Sequence, residues 1–383
     1  MNGPLALYVH WPFCLSKCPY CDFNSHVGED IDQARWQRAF LSELDHLAHQ
    51  VPDRRLASLY FGGGTPSLMA PATVEAVIGR ACEHWPAHGD LEVTLEANPS
   101  SAEARRFRDF RSAGVERLSL GVQALDDDAL RFLGRGHDRS QALAALDAAK
   151  RIFPRVSFDL IYARPDQTAG AWRRELDEAL ALARGHLSLY QLTIEKGTPF
   201  YAAARAGRLT LPEQDSLATL FEITQERLEA AGLRAYEVSS HAEAGEECRH
   251  NLTYWRYEDY AGIGPGAHGR LRLDGTIVAT RRRSRPEDWL AAVEADGHGA
   301  IEETPIGPDR AVAEAAMMGL RTAEGLSAER FERRTGRAFK DAFERKALGT
   351  LIEGGYLVLD GKGLRATPAG RRVLNAVLAR LIA

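Results

Sequence analysis

Short apolar runs recur along the first half of the chain, and each is followed by a longer segment whose apolar residues have helical spacing. The six runs lie at 5–9, 56–61, 91–97, 117–123, 156–162 and 187–194. Their β-branched and aromatic residues are typical of buried strands, and most of the intervening segments are long enough for one crossover helix. Repeated βα units form a parallel sheet. Because six units are fewer than the eight of a closed barrel, we predict an α/β fold with an open (βα)6 partial barrel.

The pattern changes after a predicted helix that ends near residue 232. Short runs between 235 and 285, with an Asp-Gly turn at Asp274 and Gly275, predict antiparallel strands that extend the sheet. From about residue 305 the chain turns helical, and then a two-strand turn and a final helix follow, which is typical of a winged-helix-like domain. We therefore divide the chain into a core at 1–232, an antiparallel extension at 233–304 and a C-terminal domain at 305–383.

The composition is that of an ordinary globular protein, with 45% hydrophobic and 26% charged residues. A net charge of -5 and a C-terminal domain without a basic stripe give no reason to expect nucleic-acid binding. No apolar run approaches the roughly 18 residues of a membrane span, and the first residues enter a strand pattern at once, so we expect no membrane span and no signal peptide. Five cysteines, three of them in one loop, favour the reducing cytoplasm over a disulfide framework.

Three cysteines lie close together directly after the first predicted strand. Cys14, Cys18 and Cys21 form a Cys-x3-Cys-x2-Cys pattern in the segment HWPFCLSKCPYCDFNSH. Thiolates at this spacing suit either a structural zinc ion or an iron–sulfur cluster. Zinc would need a fourth ligand, which His10 or His26 could supply. A 4Fe–4S cluster held by three cysteines would keep one iron open for a small ligand.

Glycines and polar residues follow the other predicted strands. Ligand sites of parallel barrels form at the carboxyl ends of the strands, so we expect these residues to converge on the cysteine loop. The glycines would let the backbone approach a ligand with unpaired N–H and C=O groups. Two simpler interpretations stay open: a strand-end carboxylate can cap the next helix, and Arg135 can pair with Asp159. The converging residues are Tyr8, His10, Gly62, Gly63, Gly64, Glu96, Gln123, Arg135, Asp159 and Thr193.

An ordered set of segments resembles the radical S-adenosylmethionine (SAM) proteins, and within them the oxygen-independent coproporphyrinogen III oxidase group. The set consists of YVHWPFCLSKCPYC, FGGGTPS, SLGVQ, the arginine twelve residues after Gln123, and DLIYARPDQT. The resemblance implies a 4Fe–4S cluster on Cys14, Cys18 and Cys21, with SAM on the open iron as the source of a 5′-deoxyadenosyl radical. It also implies that Tyr8, Gly63, Gly64 and Thr65 hold the methionine part of SAM, that Glu96, Gln123, Arg135 and Asp159 hold the ribose and the rest, and that Tyr20 packs near the adenine.

Two features resemble the sister branch of that group, the HemW haem chaperones. The decarboxylases continue their motif with a fourth cysteine two residues after the third, where this chain has Phe23. The segment HNLTYW, with His250, Asn251, Tyr254 and Trp255, resembles the HNxxYW segment of HemW proteins. Imidazole is a common axial ligand of haem iron and aromatic rings suit a macrocycle, although the same residues can serve only local packing. The resemblance therefore implies a chaperone that binds haem, with His250 as a candidate ligand, and passes it to an acceptor protein, for example at the membrane surface.

Some alternatives stay open on the sequence. The intact cofactor motifs also suit a coproporphyrinogen III decarboxylase or another radical SAM enzyme acting on a tetrapyrrole, and a zinc protein whose winged domain carries the function is a third option. Cys82 is predicted to be structural, and Cys248 is either a buried residue or a second haem-ligand candidate. The segment GPGAHG at 264–269 fits the GxGxxG pattern, but a strand follows it, so we predict a close-approach loop beside the cofactor. Both a monomer and a dimer remain compatible with the sequence.

Overall fold

The computed structural model describes residues 3–28 and 30–382. Its central element, within this part of the chain, is one open sheet of 12 strands. Each apolar run that was predicted as a core strand forms a strand, although the sixth strand ends before Thr193. The core strands are β1 (Pro4–Trp11), β2 (Arg55–Gly63), β3 (Ala87–Ala97), β4 (Arg117–Gln123), β5 (Arg155–Tyr162) and β6 (His186–Gln191).

These six strands pair in parallel and in sequence order, and helices cover the sheet. Apolar residues of the helices, such as Leu44, Val77 and Leu146, are fully buried in the same cluster as the strand residues. This covering explains why the strands read as nearly continuous apolar runs. The predicted open partial barrel is confirmed. Its helices are α1 (Gln33–Gln50), α2 (Pro71–His84), α3 (Ser101–Ala104), α4 (Phe107–Ser112), α5 (Asp127–Phe132), α6 (Arg139–Ile152), α7 (Ala169–Leu182), α8 (Pro199–Arg205) and α9 (Gln214–Ala230).

Local capping residues begin several of these helices. The Asp32 side chain accepts a hydrogen bond from Arg35 N at the start of α1. Helix α6 begins with a capping box between Asp138 and Gln141, and α2 begins with Pro71, whose missing N–H would have no partner in the first turn. None of the described helices has the length and apolar character needed to cross a membrane.

Strands of the extension lie on both edges of the core sheet. β7 (Arg234–Ala235) and β8 (Ser240–Ala242) follow β6, while β9 (Tyr260–Ile263), β10 (His268–Leu273), β11 (Thr276–Arg282) and β12 (Ala300–Pro305) extend the β1 edge. Their pairs are antiparallel as predicted, with one exception: β9 runs parallel to β1. The predicted turn is present, with positive φ at Asp274 (47°) and Gly275 (84°).

A short helix, α10 (Arg249–Trp255), carries the HNLTYW segment. The pattern between 235 and 285 predicted only strands and loop, because seven residues are too few for a helical period to stand out. Helix α10 packs against β2 and β1, and a further helix, α11 (Pro286–Asp296), follows the hairpin. The HNLTYW segment is therefore part of the barrel and is not a free surface loop.

The C-terminal domain combines helices with a three-stranded antiparallel sheet, and its apolar residues form a hydrophobic cluster separate from that of the core. Its winged-helix-like assignment stays a prediction. The cluster is shared with the extension, because it includes Tyr257, Ile277 and Ala279. Ion pairs join the domain to the segment after α10, including Arg256–Glu324 at 2.7 Å and Arg334–Asp259 at 2.5 Å. The elements are α12 (Pro308–Gly319), β13 (Leu326–Ser327), α13 (Ala328–Thr335), α14 (Phe339–Ala342), α15 (Arg345–Glu353), β14 (Leu357–Asp360), β15 (Gly363–Ala366), α16 (Pro368–Arg372) and α17 (Leu374–Ile382).

One buried carboxylate, Glu43 of α1, joins the core to the extension. Its oxygens accept hydrogen bonds from Gly264 N (2.8 Å), Trp289 Nε1 (2.9 Å) and Gly299 N (2.8 Å). Arg282 Nε of β11 lies 3.0 Å from the same carboxylate, and both side chains are almost completely buried. Glu43 thus fixes the loop at Gly264, which lies beside the cysteine loop.

Candidate functional site

A cavity of about 370 Å³ opens at the carboxyl ends of the core strands, next to the cysteine loop. Because parallel strands all end at the same edge of the sheet, residues far apart in the sequence share its wall. Most of the predicted site residues line it. These are Cys14, Cys18, Tyr20, Cys21, Gly63, Gly64, Thr65, Glu96, Gln123, Arg135 and Asp159.

The cysteine loop is closed at its base by a short parallel pair, Phe13–Cys14 with His26–Val27. Within the loop, Cys21 N donates to Cys18 O at 3.1 Å, and Ser25 N donates to Phe23 O at 2.7 Å. Lys17 Nζ donates to Ser25 O at 3.2 Å. These bonds curl the loop so that its three cysteines line one cavity.

The segment GPGAHG lies behind the cysteine loop. Asn24 Nδ2 of that loop donates to Pro265 O at 3.0 Å, and a Cβ atom on Gly266 would lie 2.4 Å from the same nitrogen. A Cβ atom on Gly264 would lie 2.4 Å from His10 O. The predicted close approach therefore exists, but the partner is protein. None of residues 264–269 lines the described cavity, so their place beside the cofactor stays a prediction.

The glycines of GGGTPS join the end of β2 to the cysteine loop. Gly63 N donates to Glu96 Oε2 at 3.3 Å, and Gly64 N donates to Trp11 O at 2.7 Å. A Cβ atom on Gly64 would lie 2.6 Å from Phe13 O. Both N–H groups are therefore paired, contrary to the expectation of free ones. The absent side chains allow two backbones to pack closely, which brings Thr65 Oγ1 within 3.4 Å of Cys14 Sγ.

Arg135 holds the other side of the loop. Its Nη1 donates to Cys18 Sγ at 3.3 Å and to Tyr20 OH at 3.4 Å, and its Nη2 donates to Gly121 O at 2.9 Å and to Asn98 Oδ1. Asp159 instead accepts a hydrogen bond from Ser119 at 3.5 Å. The simpler interpretation, in which Arg135 only pairs with Asp159, was wrong.

Gln123 adopts an unusual backbone conformation at the end of β4. Its φ is 72°, a region that costs free energy for a residue with a side chain, and the pairing with β5 shifts register there. A Cβ atom on Gly121 would lie 2.9 Å from Gln123 Nε2, so a larger residue at this position would displace the amide. Gln123 Oε1 and Arg135 Nε are buried without a partner. These atoms leave hydrogen-bonding capacity for a polar ligand.

The cavity is lined by three carboxyl groups, those of Glu96, Glu103 and Asp159, and none of them forms an ion pair among the described residues. Glu96 accepts hydrogen bonds from Tyr60 OH (2.8 Å) and Gly63 N, and does not cap the next helix, which Ser100 caps. Burial raises the pKa of Glu96 to about 7, and repulsion from Asp159 adds to this effect. Burial likewise raises the pKa of Asp159 to about 6. The wall therefore favours a cationic ligand, which would stabilise the ionised carboxylates of Glu96 and Asp159.

We expect Glu96→Gln to stabilise the cofactor-free protein at alkaline pH. The unfolded chain ionises Glu96 near the ordinary pKa of 4.5, whereas the folded protein keeps the proton up to about pH 7. Stability is therefore lost as the pH rises between these values, and the loss persists above them. Denaturant unfolding should show no gain for the variant at pH 4 and a gain of about 2–3 kcal/mol at pH 8. The exposed Glu229→Gln is the control, and an equal gain of Glu96→Gln at both pH values would contradict this prediction.

The donor set fits an iron–sulfur cluster better than a zinc ion. Burial raises the pKa values of Cys14 and Cys21, so these thiols need metal cations to become thiolates. Among the described residues, no three His, Cys, Asp or Glu side chains converge as a single metal ion requires. A cluster binds each sulfur to a different iron, so its ligands need not meet at one point. His10, one candidate for the fourth zinc ligand, already uses both ring nitrogens in hydrogen bonds. Nε2 bonds to Asn24 O (2.9 Å), and Nδ1 bonds to Tyr8 OH (3.2 Å).

Five residues that were predicted to lie at the site do not line the cavity: Tyr8, His10, Gly62, Thr193 and His250. Tyr8 lies one layer beneath the wall, where a Cβ atom on Gly62 would meet its ring at 2.8 Å. Thr193 is exposed beyond the end of β6. His250 is 4% exposed, and its ring lies 5.0 Å from that of Tyr60 and 6.0 Å from that of Tyr8, measured between ring centroids.

Several residues of the wall were not predicted from the sequence. Asn98 accepts from Arg135 and donates to Thr65 Oγ1 at 3.2 Å, which links three segments of the site. Its signal was available, since it lies two residues after Glu96 in the same EANPS segment. Ser119 and Tyr190 also line the cavity. These two residues differ from other strand residues only because their side chains point to the inward face of the sheet, and which residues point inward depends on the register of the sheet.

Comparison with known protein sequences finds similarity over nearly the full length. The sequence matches the radical SAM superfamily over residues 8–179 and the HemN C-terminal domain over residues 307–373. It is 36% identical over 383 residues to the "Heme chaperone HemW" of Escherichia coli K12, which covers 99% of this chain and 98% of that protein. It is 40% identical over 386 residues to the "Radical S-adenosyl methionine domain-containing protein 1, mitochondrial" of Bos taurus, which covers 98% of this chain and 87% of that protein.

Comparison with solved structures gives a similar fold. The coproporphyrinogen III oxidase HemN from Escherichia coli, described as a radical SAM enzyme, superimposes with a TM-score of 0.82 and covers 99% of this chain and 90% of that one. The identity is 23%. At this level the likeness establishes a shared architecture and says nothing about a shared reaction.

Proposed function

Because this chain belongs to the radical SAM family that includes the HemW haem chaperones, we propose that it binds haem and passes it to a haem-accepting protein. The structural observation that carries the proposal is Phe23 at the mouth of the cavity. This residue stands two positions after Cys21, where the decarboxylase motif would continue with a fourth cysteine, and it is 60% exposed. The loop thus presents an apolar surface in place of a fourth thiol.

The cavity residues support binding of both cofactors that the superfamily implies. We assign the 4Fe–4S cluster to Cys14, Cys18 and Cys21. When bound, the cluster supplies the electron that cleaves a carbon–sulfur bond of SAM. The wall beside Cys14 would hold the methionine part of SAM, and the carboxylates and unpartnered polar atoms would hold the ribose and the sulfonium. These wall residues are Gly63, Gly64, Thr65, Glu96, Gln123, Arg135 and Asp159, with Tyr20 near the adenine.

The rim of the cavity supports haem binding. Leu15 (63% exposed) and Phe23 line the mouth, and Val27 (60% exposed) pairs beside Cys14 at the base of the loop. Three large apolar side chains this exposed in one loop are typical of an interaction surface. Lys17 lies on the same rim, where its ammonium group could attract a haem propionate. We assign the porphyrin face to Leu15 and Phe23.

His250 is the alternative haem contact, and its surroundings argue against it. The ring is buried, and Nδ1 shares a hydrogen bond with Ser58 Oγ at 3.1 Å. Burial lowers the pKa of His250 to about 3, which leaves the ring neutral. The His250 imidazole could bind haem iron only if α10 moved away from β2.

We expect Phe23→Ala to weaken haem binding about tenfold, because it removes an aromatic contact worth roughly 1–2 kcal/mol. The measurement is a haem titration of the purified full chain, with the Soret band as the signal. Leu359→Ala is the matched control, because Leu359 is an exposed apolar residue (43%) of β14 in the C-terminal domain. His250→Phe should keep the affinity of the unchanged chain.

Each outcome decides one part of the proposal. No saturable Soret shift in the unchanged chain would end the haem-binding function. Equal affinities of Phe23→Ala and the unchanged chain would remove the rim assignment, and a loss in His250→Phe would return the haem contact to α10.

Delivery of haem needs a separate measurement. We expect haem to move from the loaded chain to the apo form of a haem-dependent protein faster than haem dissociates from the loaded chain into solution. Release of carbon dioxide from coproporphyrinogen III by the reduced, cluster-loaded chain would instead favour the decarboxylase. We place the function in the cytoplasm, where the five cysteines, all free thiols in this structure, would stay reduced.

A further inference from the structure

We infer that His250 is a positioning residue of the SAM site: it holds the ring of Tyr60, and the hydroxyl group of Tyr60 holds the Glu96 carboxylate. The HNLTYW segment would then influence SAM binding through this chain of contacts, although its sequence suggests a haem ligand. The inference rests on the proposed SAM site and does not depend on haem binding.

The backbone of the segment is anchored in the barrel. His250 N donates to Glu92 Oε1 at 3.2 Å, and Cys248 Sγ lies 3.5 Å from the same oxygen. Glu92 is 1% exposed and pairs with Arg155 at 2.8 Å. A buried, ion-paired carboxylate therefore fixes the position of His250, and also explains Cys248 without assigning it a ligand role.

The His250 side chain contacts two successive inward residues of β2. Ser58 and Tyr60 are two positions apart in this strand, so both side chains point to the same face. Ser58 Oγ shares a hydrogen bond with His250 Nδ1 at 3.1 Å. The Tyr60 ring lies 5.0 Å from the imidazole at an angle of 30°, and 6.1 Å from the ring of Tyr8 at an angle of 23°. The imidazole and the Tyr8 ring therefore restrict the rotation of Tyr60.

The hydroxyl group of Tyr60 reaches the cavity wall. It donates to Glu96 Oε1 at 2.8 Å, and the second carboxylate oxygen receives the longer bond from Gly63 N at 3.3 Å. If Tyr60 can rotate, Glu96 loses its shorter hydrogen bond. The carboxylate would then be less ordered and less readily ionised, and both effects would weaken its contact with a cationic, hydroxyl-bearing ligand.

We expect the affinity of the cluster-loaded chain for SAM to fall about tenfold in Tyr60→Phe and roughly three- to tenfold in His250→Ala. His250→Phe combined with Ser58→Ala keeps a ring against Tyr60 without stranding the Ser58 hydroxyl group, so it should restore affinity close to that of the unchanged chain. Tyr162→Phe is the matched control, because this buried tyrosine stacks on Trp172 and lies outside the cavity wall.

The pH dependence of SAM affinity separates positioning from general destabilisation. Affinity should fall as the pH drops and Glu96 becomes protonated. Since the Tyr60 hydroxyl group favours the ionised carboxylate, its loss should move this fall to higher pH in Tyr60→Phe and in His250→Ala. The other titratable groups that face Glu96 are unchanged in these variants. They are Asp159 from β5, Tyr8 from β1 and Tyr190 from β6.

The experiment is an anaerobic titration of the full, cluster-loaded chain with SAM between pH 6 and pH 9, followed through the cluster spectrum. Iron content and circular dichroism confirm loading and folding, and His250→Leu, which keeps volume without a planar ring, replaces His250→Ala if that variant fails to fold. Unchanged SAM affinity and pH profile in a folded His250 variant would overturn the inference. Absence of haem binding by the unchanged chain would end the chaperone function and leave this inference standing.

Discussion

Cys14→Ala abolishes the iron–sulfur cluster, whereas Cys82→Ala keeps it, if the cysteine loop is the cluster site. Three thiolates are the fewest protein ligands such a cluster can have here, and the loop offers no fourth cysteine to take the place of a lost one. Cys82 is exposed in α2 and does not line the cavity. Anaerobic reconstitution followed by iron and sulfide analysis and a visible spectrum measures the result.

The same measurement decides between the two metals. Zinc in stoichiometric amount, with no sulfide, would establish the structural-zinc interpretation and remove the SAM site with it. A full cluster in Cys14→Ala would show that another residue completes the ligand set. Circular dichroism of both variants shows whether the loop change has disturbed the barrel.

Glu43→Ala costs about 3–5 kcal/mol of unfolding free energy, by far the largest loss that we expect from a residue outside the cavity. The change leaves the Arg282 guanidinium group buried without an opposing charge. It also strands three N–H donors, from Gly264, Trp289 and Gly299. Denaturant unfolding gives the free energy, and cluster retention should fall as well because the Gly264 loop packs against the cysteine loop.

Glu294→Ala is the matched control for Glu43. Glu294 pairs with Arg35 at 2.6 Å and joins the same two helices, α1 and α11, but both side chains are about half exposed. Solvent screens such a pair, so the unfolding midpoint should hardly move. Glu43→Gln retains one acceptor oxygen and the shape of the side chain, so its unfolding midpoint should lie between those of Glu43→Ala and Glu294→Ala. Similar midpoints for Glu43→Ala and Glu294→Ala would disprove the role of the buried carboxylate.

The structure changes the interpretation of three motifs. The glycines at 62–64 and at 264–266 were expected to approach a ligand, yet they approach protein atoms of β1 and of the cysteine loop. His250 was a candidate haem ligand, with local packing as the alternative, and it contacts Ser58 and Tyr60. For the glycines the close approach was foreseeable but the neighbour was not, and for His250 the helix that carries it was missed as well.

Features that depend on neighbouring residues could be predicted from the sequence. Apolar runs marked the core strands, the Asp274-Gly275 pair marked the hairpin turn, and the cysteine spacing marked the loop. These signals are local because side-chain periodicity and turn conformation are set within a few residues. The placement of residues at the carboxyl ends of parallel strands then followed from topology alone.

Only the tertiary structure decided which distant groups meet. The parallel pairing of β9 with β1, the network of Arg135 with Asn98 and Cys18, and the insertion of His250 beneath Tyr60 all join segments more than 35 residues apart in sequence. Such contacts depend on sheet register and on which face of each strand points inward, and a single-residue shift would reverse that face. Burial then set the chemistry, since removal from water raises the pKa of Glu96 and lowers that of His250.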